Sequence, residues 1–272
     1  MRYEEWNVEN AKSLKGAKLC LYLLDGSAEL RIQKRPVVLI CPGGAYAATS
    51  DREAETVALQ FTAMGYHAAV LRYSVAPAAY PAALLELGKS VLLLRAHAEE
   101  WNVQPDGLVL VGFSAGGHLA CSYGTFWNRE WLAKELDAPA EKLRPNGLIL
   151  GYPVVTSGLY AHRESIENLL GEDYERLKEQ VSLENFVGSQ NPRTFIWNTC
   201  ADEAVPPQNS LLLANALVEK HVPTEYHMFE KGEHGLSLAN ALTQAADGRC
   251  VNREAACWLA LAHRWLQTWL PY

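Results

Sequence analysis

The chain has 272 residues, 49% of them apolar and 20% charged, and carries a net charge of −7. That length can bury a sizeable core, and the composition is that of a globular protein, which excludes a disordered or fibrous chain. The acidic balance argues against nucleic acid as a partner, because its binders present basic patches to the phosphates.

At the N-terminus, MRYEEWNVEN has no apolar run and no cleavage-site pattern, which points away from an export signal and towards the cytoplasm. A weak strand over 18–24 follows, read as an antiparallel edge. From residue 36, short apolar runs alternate with amphipathic ones, the pattern of an α/β fold with a mostly parallel sheet. Strands are expected over 36–41, 67–73, 107–112, 147–152, 194–199 and 224–229. Helices are expected over 52–64, 84–101, 115–126, 208–220 and 253–269. The last of these sets Trp258, Leu261, Trp265 and Trp269 on one face, as core anchors.

The longest uncharged stretch, 107–128, is rich in glycine and reads as strand, turn and helix, not as a membrane span. No repeat or linker divides the chain, so one domain over 1–272 is expected. The polar segment 156–190 breaks the alternation, either as a lid or binding insertion or as a plain helical excursion. Six cysteines without a CxxC pair fit reduced thiols, and no two histidines have HxxxH or HxH spacing. No metal and no cofactor are therefore expected.

Three places carry chemistry. Gly112-Phe113-Ser114-Ala115-Gly116 is a G-x-S-x-G match between an apolar strand and a helix-compatible run. That context puts Ser114 at the apex of a strand-to-helix bend, its hydroxyl projecting from the sheet edge towards the helix N-terminus. The second is CPGGAY at 41–46, whose glycines let backbone N–H groups face a ligand oxygen, as an oxyanion hole requires. It lacks the lysine of a phosphate loop and the spacing of a dinucleotide site. The third is Asp202 and His234, each just beyond a predicted strand, in the chain order serine, acid, histidine. Serine is a poor nucleophile until a histidine takes its proton and an acid orients that histidine. Glu203 is the competing acid, with Asp202 preferred as the first after its strand. Among the other histidines, His118 is expected to pack or hydrogen-bond on its helix, and His227 and His263 lie inside regular elements, whereas His234 is free in a glycine-flanked loop.

With these motifs in place, the chain resembles the α/β-hydrolase superfamily. Within it, the chain is similar to bacterial esterases grouped with acetylxylan and feruloyl esterases and with lipases described as endo-xylanase-like. The resemblance rests on PGGAY, GFSAGGHLA, Tyr80-Pro81, NLLG at 168–171, TCADEAVPPQNS and GEHG, and runs from about residue 36 to the last helix. It implies a nucleophile at Ser114, a general base at His234 and an orienting acid at Asp202. It also implies an oxyanion hole from the amides of Gly44, Ala45 and Ala115. Pro42 stands where related lipases often have histidine, and Ala45 where a third glycine is common. Ala45 leaves less room beside the hole, which favours a small acyl group.

The expected reaction is hydrolysis of small acyl esters, acetyl foremost, through an acyl-enzyme. The expected substrate is an acylated sugar such as a short imported xylo-oligosaccharide. Tyr46, Trp127 and His162 are candidates for a sugar-accepting mouth, the plainer alternative for each being an ordinary surface or core residue. A prolyl-oligopeptidase-like peptidase shares fold and chain order, but only about 35 residues precede the first core strand here. A hydrolase-fold binding protein without catalysis is a third reading, and self-association stays open.

Overall fold

The computed structural model describes residues 1–270. Eight strands form one sheet: β1 (Arg2–Asn7), β2 (Lys18–Leu23), β3 (Arg35–Cys41), β4 (His67–Arg72), β5 (Val103–Phe113), β6 (Gly147–Gly151), β7 (Arg193–Thr199) and β8 (Thr224–Phe229). Their spatial order is β1-β2-β4-β3-β5-β6-β7-β8. From β3 to β8 every pairing is parallel, while β2 runs antiparallel to both β1 and β4.

Alternation along the strands sorts the core into two layers. Val37, Leu39 and Cys41 of β3 face one layer and Val38 and Ile40 the other. The first layer is closed by α2 (Ala82–Ala96), α3 (Ser114–Phe126) and α8 (Gln208–Glu219), the second by α1 (Glu55–Ala63) and α9 (Trp258–Gln267). Trp258 and Trp265 are buried in that second layer, with Leu261 and Trp269 packed against it. This mostly parallel sheet with helices on both faces is the α/β architecture the sequence predicts.

Two expectations change. The strand at 18–24 is antiparallel but is not the edge, because β1 covers it with the register Arg2↔Leu23 to Asn7↔Lys18. β1 went unread because its exposed, charged RYEEWN has no apolar run. The polar 103–106 stretch also joins β5, which is longer than its apolar core suggests. Two short helices that the pattern did not indicate, α4 (Glu130–Glu135) and α5 (Ala140–Leu143), follow α3.

Segment 156–190 contains no strand. It is helical, with α6 (Arg163–Leu170) and α7 (Tyr174–Leu177) followed by 3-10 turns at Lys178–Val181 and Leu183–Asn185. Ile166, Leu169, Leu170, Val181 and Leu183 sink into the first core layer. Its charged residues cover an amphipathic underside, which is why composition alone made it look solvated. Among the described residues no helix is long and apolar enough to cross a membrane.

Candidate active site

The site sits at the C-terminal ends of β3, β5, β7 and β8, where the crossover connections of a parallel sheet open a crevice. β5 ends at Phe113 and α3 begins at Ser114 without a loop. Ser114 takes φ +52°, a left-handed backbone that costs a non-glycine residue roughly 1–2 kcal/mol. The bend is held by close packing against the neighbouring strand. A Cβ on Gly116 would lie 2.1 Å from the Cys41 carbonyl oxygen, so only glycine lets α3 come this near.

His234 lies in the loop after β8, and its Nε2 is 2.8 Å from Ser114 Oγ. Its Nδ1 is 2.6 Å from Asp202 Oδ2, in the turn after β7. The carboxylate can only accept from Nδ1–H, so Nε2 carries the lone pair and the serine hydroxyl donates to it. Asp202 is 4% exposed, and its second oxygen accepts the amides of Ala204 and Val205 at 3.0 and 2.9 Å. Glu203 points to solvent. Such a chain can draw a proton from the serine and hold the resulting imidazolium.

The loop after β3 supplies the amides. Gly44 has φ +128° and Ala45 φ +55°, and both line the cavity that contains Ser114. Ala115 is in the first turn of α3, where amides have no partner inside the helix. The cavity is about 290 Å³ in volume. His162, Glu164 and Arg52 add polar walls to it.

Of the three residues expected at a sugar-accepting mouth, the structure brings only His162 to this cavity. Tyr46 is 2% exposed, with its hydroxyl donating to His118 Nδ1 at 3.0 Å, so the positive φ of its loop turns the ring into the core. Trp127 follows the far end of α3, about 20 Å from Ser114 along the helix axis. There its indole donates to the Gln190 carbonyl and lies under the Arg144 guanidinium. His118 is hydrogen-bonded on its helix as expected, its Nε2 donating to Val181 O at 2.9 Å, and burial pushes it down to about 4. His227 meets Glu225 and His263 meets Tyr66.

Sequence reasoning missed a buried carboxylate. Glu53, in the 3-10 turn Asp51–Glu53, accepts the Gly43 amide at 2.7 Å on Oε2 and the Tyr152 hydroxyl at 2.6 Å on Oε1. Tyr152 follows β6 and meets the His234 ring edge-on at 5.0 Å. Its oxygen in turn accepts the Ser237 amide at 2.8 Å. Glu53 thus ties the amide-bearing loop to the histidine loop. An acidic residue in the polar run TSDRE reads as surface. Tyr152 had a fainter signal, an aromatic directly after a core strand.

Among the described residues, no group of three or more His, Cys, Asp or Glu side chains could hold a metal ion. All six cysteines are unpaired.

Comparison with known proteins identifies the family and the fold. A family model described as BD-FAE matches residues 27–217. Endo-1,4-beta-xylanase B of Butyrivibrio fibrisolvens is 36% identical over 214 residues, covering 76% of this chain and 33% of that protein. The acetylxylan esterase of Xylanibacter ruminicola is 31% identical over 152 residues, covering 54% and 29%. The chain thus spans about a third of the length of these curated relatives. Among solved structures, an acetyl ester-xyloside bifunctional hydrolase from Caldicellulosiruptor lactoaceticus matches with TM-score 0.80 at 36% identity, covering 93% of this chain and 88% of that one. A carboxylesterase from Lactobacillus plantarum matches with TM-score 0.84 at 31% identity, covering 98% of both chains. The fold, the serine bend and the matched family model converge: the chain belongs to the BD-FAE family of the α/β-hydrolase superfamily.

Proposed function

We propose that the protein is a serine carboxylesterase that removes small acyl groups, acetyl foremost, from carbohydrates such as short xylo-oligosaccharides. The observation that carries this reading is the unbroken chain Ser114 Oγ–His234 Nε2 at 2.8 Å and His234 Nδ1–Asp202 Oδ2 at 2.6 Å. Ser114 attacks the ester carbonyl while His234 takes its proton. The amides of Gly44, Ala45 and Ala115 hold the oxyanion, assisted by the positive end of α3. His234 then protonates the leaving alcohol, and water enters by the reverse path to release the acid and restore Ser114. Asp202 fixes the tautomer and balances the imidazolium.

A cavity of about 290 Å³ with polar walls supports a short acyl chain joined to a polar alcohol. The names of the relatives that act on xylan esters and xylosides support a sugar as that alcohol. The test is acetate release from acetylated xylo-oligosaccharides, run beside p-nitrophenyl acetate and its longer-chain homologues. The expected result is turnover that falls steeply with acyl length and vanishes in Ser114→Ala. Activity that survives Ser114→Ala sinks the mechanism, and a preference for octanoate over acetate sinks the small-acyl reading.

A further inference from the structure

His162 is the N-cap of α6, and its side chain accepts from the Ser165 amide of that helix. The Ser165 backbone N–H points at Nδ1 from 3.4 Å, and the buried Ser165 hydroxyl lies 2.8 Å from the same nitrogen. That N–H is shared with the His162 carbonyl at 3.1 Å, and with its second branch on the ring Nδ1 takes the acceptor role and the neutral ring carries its hydrogen on Nε2. Burial holds this imidazole below its ordinary pKa, and neighbouring His234 acts in the same direction, against Glu164 and Asp202. The ring is therefore a neutral donor near pH 7. Among the described residues Nε2 meets no acceptor, while the side chain lines the Ser114 cavity.

The side of the cavity matters. Gly44 and Ala45 receive the carbonyl oxygen, whereas His234 returns its proton to the departing alcohol. His162 and Glu164 line the Ser114 cavity together with His234, the residue that serves the alcohol. We infer that His162, through Nε2–H, is a specificity-determining donor that binds a second oxygen on the alcohol half of the substrate. A hydroxyl or ring oxygen next to the ester of an acylated polyol meets this need, and a simple alkyl alcohol has none to offer. The inference rests on the serine-esterase reading and adds to it how the alcohol is selected.

The experiment compares kcat/KM for a monoacetylated methyl pentoside with that for butyl acetate, using the full chain, Ser114→Ala, His162→Leu and His162→Gln. One neutral hydrogen bond sets the scale, so the polyol-to-alkyl ratio is expected to fall about five- to tenfold in His162→Leu. In His162→Gln, whose amide restores a donor, it should return to within about threefold of the wild-type ratio. Imidazole nitrogen NMR of the wild-type protein is expected to show His162 protonated on Nε2. A ratio unchanged within twofold in folded His162→Leu overturns the inference. So does an Nδ1-protonated ring, a readout that holds even where loss of the cap prevents the leucine variant from folding. Residual turnover by Ser114→Ala would instead overturn the underlying esterase mechanism, leaving the two failures distinguishable.

Discussion

Glu53 receives the Tyr152 hydroxyl at 2.6 Å, and this contact joins the loop that bears the Gly43 and Gly44 amides to the loop that bears His234, alongside the Ser237 hydroxyl on the Arg52 carbonyl. Both partners are buried, so neither can turn to water if the other is lost. Tyr152→Phe strands the Glu53 oxygen and the Ser237 amide together. It is expected to lower the unfolding free energy by about 2–3 kcal/mol, read from urea denaturation, and to reduce kcat more than it raises KM. Wild-type kcat in a folded Tyr152→Phe protein would show that the two loops hold their positions without this link.

Asp202→Asn is expected to be far worse for activity than for stability. Oδ1 is held by two backbone amides, so the new carboxamide must keep its oxygen there and turn its NH₂ towards His234. That forces the imidazole proton onto Nε2, where it can no longer accept from Ser114. The expected loss in kcat is about 10⁴-fold, with a thermal midpoint near wild type. Glu203→Gln, at a side chain turned to solvent, should stay within about twofold. The reverse ranking in steady-state kinetics contradicts the assignment of the acid.

Acid should loosen the fold through two histidines. Burial pushes both His118 and His67 down to about 4 from an ordinary value near 6.5. Between those values the unfolded chain binds the proton and the folded chain does not, so stability falls as pH drops from 6.5 towards 4. Each histidine contributes a slope of roughly 1.4 kcal/mol per pH unit inside that window. Urea midpoints at pH 7, 6 and 5 should decline accordingly, and His118→Gln should remove about half of the dependence that these two groups supply. A flat profile over this range refutes the buried neutral state.

Gly116→Ala tests the serine bend. The added methyl would stand 2.1 Å from the Cys41 carbonyl and 2.3 Å from that of Pro42, both backbone atoms with little freedom to yield. A destabilisation of about 3 kcal/mol is expected, with activity falling in parallel. At Gly26, where the nearest atom is the Asn102 side-chain nitrogen at 3.8 Å, alanine should be nearly silent. Thermal melts of the two variants side by side decide the matter.

What could be read in the sequence follows from where side chains meet water. The strands β3 to β7 were legible because their two-sided burial writes apolar runs, and the half-buried edge strand β8 still shows Tyr226, Met228 and Phe229 among polar residues. β1 was not, since an edge strand made of RYEEWN has little apolar signal to show. Ser114, Asp202 and His234 were legible as positions because each follows a strand and is flanked by turn residues. Glu53 was hidden, because nothing local distinguishes an acid that will accept two buried donors from one that will face solvent. Tyr46 misled for the opposite reason. An aromatic beside an amide-bearing loop suggests a binding wall, but its phenol finds its partner inward, at His118.

The excursion over 156–190 is anchored at points that matter to the bond-breaking machinery. Asn168 donates to the Ala45 carbonyl, the Leu169 carbonyl accepts the Tyr80 amide, and the Val181 carbonyl receives His118 from the helix that begins with Ser114. The helix that begins at His162 and the loop that carries Gly44 and Ala45 are therefore one mechanical part. Grafting this stretch from a homologue with another taste in alcohols would alter turnover along with preference, so selectivity in this scaffold is not a detachable module.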